Sequence, residues 1–268
     1  MSLLDAEGSD SLLDKWIGLV IKNRVIELDF DVPPCRNVRM YTLSQIVFSA
    51  TSLTILKLGG CKLEHPADTI RISISSYQLK VLKVLFCSNL RAIDVDSPNL
   101  LLFNYSNESI PTISMNALCS WKVSLNKIDA NGNAADTLWF LRLKEFLGLS
   151  NQIKDLALYV EWDDDLLGLY EFRNSSTSLP CEVGNLSLRL IGGSFSSRLA
   201  WLDGLFRLYY SKNVVVKLMK EADIKFMEIN ILFSRRGRYQ AVVQGSRLDV
   251  FLYRRRPVLD QSSNSSGK

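Results

Sequence analysis

The stretch Leu79-Lys80-Val81-Leu82-Lys83-Val84-Leu85-Phe86-Cys87-Ser88-Asn89-Leu90 reads L-x-x-L-x-V-x-x-C-x-x-L, and it constrains the fold more than any other part of the chain. Leu82 and Val84 stand two apart, the spacing that puts both on one side of a strand, while Val81 and Lys83 between them face the other way. Cys87 then falls where a turn closes the strand. A single unit of this kind cannot bury its own apolar side, so the pattern demands copies that stack on it. Leu53-Thr54-Ile55-Leu56-Lys57-Leu58-Gly59-Gly60-Cys61 supplies one upstream, and Leu118-Cys119-Ser120-Trp121-Lys122-Val123-Ser124-Leu125-Asn126 one downstream, with Asn at the turn.

This is the strand-and-turn signature of a leucine-rich repeat. With the fourth position of each unit as a marker, units fall at Leu28, Leu56, Leu82, Phe103, Trp121, Leu156 and Leu186, at intervals of 28, 26, 21, 18, 35 and 30 residues. The short intervals leave no room for a helix on the return path, and Leu90 to Val95 alternates as a short strand would. Ser97-Pro98-Asn99 turns the chain into the next strand. The long interval holds Ala134 to Leu149, where Leu138, Trp139, Phe140, Leu141, Leu143, Phe146 and Leu147 predict an amphipathic helix. Leu12, Leu13, Trp16, Ile17, Val20 and Ile21 predict another, packed behind a first strand with Val25, Leu28 and Phe30 inward. Arg198 to Tyr210 reads as a third helix, and Val214 to Leu218 and Ile224 to Phe233 as terminal strands. The expected fold is α/β, a leucine-rich-repeat solenoid. Its curved parallel sheet lies on the concave side, and helices and short strands cover the convex side. Residues 1–11 are expected to be a disordered N-terminal stretch, 12–233 the repeat domain, 234–256 a basic segment and 257–268 a disordered, Ser- and Asn-rich tail.

In 268 residues, 47% hydrophobic and 22% charged, there is ample apolar material for one continuous core. The 32 basic and 28 acidic residues nearly balance, which does not imply a polyanionic partner. Neither a cationic leader with an apolar run nor a stretch near the ~20 residues of a membrane span occurs. The expectation is a soluble protein of the cytoplasm or nucleus, with no membrane partner. There are five cysteines, an odd number, and Cys61, Cys87 and Cys119 sit in repeat strands or turns. They are expected to be reduced thiols buried as small hydrophobes.

The run from Leu79 to Tyr105, with its C-x-x-L step and its Ser97-Pro98-Asn99-Leu100 step, resembles the leucine-rich-repeat region of plant F-box proteins of the FBD type. Trp16-Ile17, Arg24 to Leu28 and Ser52 to Leu58 are similar to that family's opening segment, and the resemblance covers roughly residues 12–210. In that family an amino-terminal F-box docks on the Skp-type adaptor of a cullin-RING ubiquitin ligase and the repeats hold the substrate. No Leu-Pro-initiated helical segment of F-box length precedes Trp16, and from about Ala222 the chain departs from the domain that often closes such proteins. The resemblance therefore implies a substrate-recognition, protein-binding module that lacks its own F-box, engaging the ligase adaptor only if an F-box is supplied upstream. Two alternatives stay open: a small-ligand co-receptor of the hormone type, and a truncated product without a partner.

Catalytic chemistry finds little to work with. His65, the one histidine, precedes Pro66 in a predicted loop with no nucleophile motif nearby. Asp163-Asp164-Asp165 reads as a solvated turn, because consecutive residues seldom converge on one ion. Gly59-Gly60 and Gly192-Gly193 lack the remainder of a phosphate-binding motif. The cysteine spacing offers no metal knuckle. No enzyme activity, cofactor or metal is expected. Arg235-Arg236-Gly237-Arg238-Tyr239 and Arg254-Arg255-Arg256 read as a solvated basic face, and no nucleic-acid partner is expected.

The candidate partner-binding surface is the concave face, where the outward positions of the strands line up. They are Glu27 and Asp29, Ile55 and Lys57, Val81 and Lys83, Leu102 and Asn104, Ser120 and Lys122, Asp155, Ala157 and Tyr159, then Asn185 and Ser187. Acidic groups open this row, lysines hold its middle and neutral polar groups close it. Such a gradient suits an extended protein partner of complementary charge, with Ile55, Val81 and Leu102 as a desolvated centre.

Overall fold

The computed structural model describes residues 6–32, 41–63, 70–87, 90–127, 137–148, 152–162, 181–192, 201–202, 205, 209–217, 239–243 and 249–254. In chain order the elements are α1 (Ala6–Lys22), β1 (Glu27–Asp31), β2 (Thr42–Leu43), a 3-10 turn (Gln45–Ser49), β3 (Ile55–Gly59), β4 (Lys62–Leu63), β5 (Ile70–Ser75), β6 (Val81–Leu85), β7 (Leu90–Asp96), β8 (Leu102–Asn107), β9 (Thr112–Asn116), β10 (Trp121–Lys127), α2 (Thr137–Gly148), β11 (Ile153–Trp162), β12 (Cys181–Gly192), β13 (Tyr209–Lys217), β14 (Tyr239–Val243) and β15 (Asp249–Arg254).

The molecule is a mixed α/β structure dominated by parallel strands. A ten-stranded sheet runs in the order β1-β3-β6-β8-β10-β11-β12-β13-β15-β14. Its first eight strands run parallel to one another, and β15 and β14 then add on antiparallel. A second sheet, β5-β7-β9, is also parallel, as is the short pair β2-β4. Parallel neighbours need a crossover between them. From β3 to β9 the chain alternates between the large sheet and the smaller ones, so each crossover is itself a strand rather than a helix.

Register is what makes this one core. Leu28, Leu56, Leu82, Phe103, Val123, Leu156, Leu186 and Val214 occupy one rung after another. Two residues on, Phe30, Leu58, Val84, Tyr105, Leu125, Leu158, Leu188 and Val216 form a second row. Beyond the edge strand β1, all of these side chains are buried. Ile72, Ile93 and Ile113 stack likewise in the second sheet. α2 contributes Trp139, Leu143, Phe146 and Leu147 to the core, and the Phe146 ring stands 6.2 Å from Phe103 and 6.0 Å from Trp121.

Serine hydroxyls tie each unit to the one before. Ser52 Oγ donates to the Val25 carbonyl, Ser76 Oγ to Thr51, and the buried Ser97 Oγ to Leu79 at 2.7 Å. Each of these carbonyls is a backbone acceptor that the sheet ladders leave free, and buried acceptors are costly when unmet.

Trp121 is not the marker of its unit: Val123 pairs with Phe103 and Leu156, and the register shifts between Trp121 and Lys122. The L-x-x-x pattern set the frame two residues early, since Leu118 is 70% exposed and the inward alternation runs Trp121, Val123, Leu125 and Lys127. Ser120 therefore precedes β10 and is no member of the outward row; Ser124 takes its place. Cys119 is exposed rather than buried, for the same reason. α1 begins at Ala6, inside the stretch read as a tail, and of its apolar residues only Ile17 is fully buried, while Leu12, Leu13, Trp16 and Leu19 face solvent. Leu141 of α2 is exposed too. Tyr209 and Tyr210 open β13 instead of closing a helix, and β13 is an eighth parallel strand in full register. The expectations for His65, Asp163 to Asp165, Ile224 to Phe233 and the tail after Pro257 concern positions outside the described residues.

Candidate interaction face

The alternation that buries one side of the parallel strands presents the other as three aligned columns. The first runs Glu27, Ile55, Val81, Leu102, Lys122, Asp155, Asn185, Asn213. The second runs Asp29, Lys57, Lys83, Asn104, Ser124, Ala157, Ser187, Val215. The third contains Leu85, Ser106, Asn126, Tyr159 and Arg189. Every outward residue expected from the sequence lies on this face except Ser120. Ser124, Asn126, Arg189 and Asn213 join it, and the two-residue alternation of their strands was the signal that could have found them.

The electrostatics differ from a simple row of lysines. Lys57 Nζ sits 2.7 Å from Asp29 Oδ2 and 2.9 Å from Glu27 Oε1, so its charge is spent on the two acids of β1. Those hydrogen bonds, Asp29 first and Glu27 second, raise the Lys57 ammonium above its ordinary pKa. Lys122 Nζ lies 3.1 Å from Asp155 Oδ2. Asp155 Oδ1 accepts from Asn185 Nδ2 at 2.6 Å, and Asn185 Oδ1 from Asn213 Nδ2 at 2.8 Å. The result is a polar ladder across four strands, β10 to β13, that is possible only because the register puts these side chains on one line. The Asn185 hydrogen bond, assisted by Lys122, holds the Asp155 carboxyl below the usual carboxylate range. At the next column Arg189 lies over the Tyr159 ring, 5.3 Å from its centroid.

Between these two self-satisfied ends lies a centre with no internal partner. Among the described residues Lys83 makes no ion pair and no side-chain hydrogen bond. Asn104 Oδ1, on the neighbouring rung, and Ser106 Oγ are closed off from solvent and also without a hydrogen-bond partner among the described residues. The half-buried Ile55, Val81 and Leu102 run beside them in the first column. An unpaired ammonium next to a strip of aliphatic side chains can hold an acidic residue and an apolar neighbour of an extended chain. Among the described residues no group of three His, Cys, Asp or Glu side chains could hold a metal ion, and no helix is long and apolar enough to cross a membrane.

No family model and no curated protein matches this chain.

Proposed function

We propose that this chain is a leucine-rich-repeat solenoid whose outward row of strand residues binds another protein, similar to the substrate-recognition half of plant F-box proteins. The observation that carries the reading is the in-register run of eight parallel strands, β1 to β13, which lines up outward side chains on a face that no described element covers. A row of this kind matches an extended partner rung by rung, and the alternating identity of its columns supplies selectivity. Lys83 with Ile55, Val81 and Leu102 is the centre of the bound surface, because its charge, unlike those of Lys57 and Lys122, has no carboxylate beside it among the described residues; the acids around Lys57 and the ladder from Lys122 to Asn213 flank it. In this reading the chain works in the cytoplasm or nucleus and carries no catalytic role. It meets the adaptor of a cullin-RING ligase only through an F-box supplied upstream.

The test is to recover binding partners with the unaltered chain and to measure their affinity for Lys83→Glu. The expected outcome is a loss of tenfold or more with an unchanged thermal unfolding midpoint, since among the described residues the Lys83 side chain makes no ion pair and no hydrogen bond. Affinity that survives Lys83→Glu, together with survival of Leu102→Arg, removes this face from the account. Lys57→Glu is a poorer probe, because a third carboxylate beside Glu27 and Asp29 disturbs the fold as well.

A further inference from the structure

We propose that Cys61 and Cys87 are a modification site: a thiol pair that closes to a disulfide when a small two-electron oxidant, hydrogen peroxide or a low-molecular-weight disulfide, reaches it. The two cysteines end successive strands of the large sheet in the same way. Gly59 pairs with Leu85, and beyond the ladder the Gly60 N–H still donates to the Leu85 carbonyl at 3.0 Å. Each cysteine is then delivered by a residue in the left-handed region, Gly60 at φ 60° and Phe86 at φ 54°. The same turn is thus built twice on neighbouring strands, and it points both thiols inward to the same spot. Their sulfurs are 3.3 Å apart.

Residues on one rung of adjacent parallel strands are about 4.8 Å apart, inside the Cα separation of about 4.4–6.8 Å that a disulfide spans. Closure asks the sulfurs to approach by little more than 1 Å, to about 2.05 Å, a movement that side-chain rotation supplies without shifting the strands. The chemistry is set by the contact between the thiols. The two thiols share a hydrogen bond that either can donate, and this contact lowers the Cys87 thiol and, with burial, pushes the Cys61 thiol up. With peroxide, the Cys87 thiolate attacks one oxygen, the O–O bond breaks, and a sulfenic acid and hydroxide form. The Cys61 sulfur then attacks the Cys87 sulfur; the S–S bond forms, the S–O bond breaks, and water leaves. Across both steps two thiols and one peroxide give one disulfide and two waters, with two electrons passing from sulfur to oxygen. With a low-molecular-weight disulfide, Cys87 displaces one thiol and Cys61 the second.

Both sulfurs are shielded, at 0% and 1% exposure, so the site selects for small oxidants. Cys119, exposed on the chain before β10, is the internal standard for access. The experiment treats the full chain with hydrogen peroxide, or with oxidised glutathione, blocks remaining thiols, and maps cross-linked peptides by mass spectrometry without reduction. The expected result is a peptide joining Cys61 to Cys87 that dithiothreitol abolishes. A raised thermal unfolding midpoint should accompany it, because the bond closes a 26-residue loop. Cys61→Ser should remove both the linked peptide and the shift. The proposal is overturned if Cys119 is fully oxidised while Cys61 and Cys87 remain thiols, or if either is carried to sulfinic acid without cross-linking. The mapping on the unaltered chain decides the matter even if a serine variant fails to fold.

Discussion

Replacing Phe103 by alanine attacks the rung at which the two layers of the core meet. Phe103 is fully buried between Leu82 and Val123, with the rings of Phe146, Tyr105 and Trp121 at 6.2, 6.3 and 6.5 Å. A buried phenylalanine removes on the order of 150 Å² from water, which at about 25 cal/mol per Å² contributes about 4 kcal/mol. Losing its contacts with three rings adds to this, and the rigid sheet on one side and α2 on the other leave the cavity little room to collapse. The expected cost is about 4–5 kcal/mol, the upper part of the range for such truncations. Leu102, its neighbour in sequence, faces the other way and is only half-buried, so Leu102→Ala should cost about 1 kcal/mol. Urea unfolding followed by circular dichroism and tryptophan fluorescence measures both. If Phe103→Ala leaves no folded state, Phe103→Leu still tests the point at about 1–1.5 kcal/mol. A Leu102 variant as damaging as the Phe103 variant would refute the assignment of inward and outward faces.

Gly60→Ala should destabilise by about 2 kcal/mol or more, because alanine resists the left-handed conformation and its Cβ would stand 1.9 Å from the Val32 carbonyl oxygen. Gly18→Ala, in the middle of α1 with open space around it, should instead stabilise by about 0.5–1 kcal/mol in the same denaturation assay. Ser97→Ala should cost about 1–2 kcal/mol by stranding the buried Leu79 carbonyl that Ser97 now serves, readable as a shift of the urea midpoint. The Asp155 carboxyl, followed by carbon NMR, should titrate below the ordinary range, and Asn185→Ala should move it back up. A depressed carboxylate pKa contributes stability above the unfolded-state value and loses it as the pH falls through the folded one. The ladder should therefore weaken only in acid, and a carboxyl indifferent to Asn185 would contradict it.

Much of this architecture is legible in the chain because a parallel sheet repeats its demand for apolar residues on every rung. Leu28, Leu56, Leu82, Phe103, Leu156 and Leu186 announce themselves by spacing alone. The frame failed at Trp121, where a large aromatic residue and an upstream Leu-Cys pair imitate the unit's start. Strand pairing decides such a case, and pairing is set by neighbours far away in sequence. The exposure of Leu12, Trp16 and Leu19 was equally hidden, since helical spacing says that a face is apolar and not that anything covers it. The outward row was legible as a set of positions. Its charge state was not: Lys57, Lys83 and Lys122 look alike in sequence, and only the register shows that Glu27 and Asp29 occupy the first and Asp155 the last, leaving Lys83 alone. The Cys61–Cys87 contact was missed because spacing does not reveal that two turns share one geometry.

In the proposed function a partner lies on the outward face of the large sheet. Site-specific photo-crosslinking reads this directly, with benzoylphenylalanine placed at Ser124, which shares the column of Lys83 on that face, or at the exposed Ser73 on the second sheet. Covalent capture of a bound protein from position 124 and none from position 73 is the result expected. Capture from position 73, or equal capture from both, would contradict it.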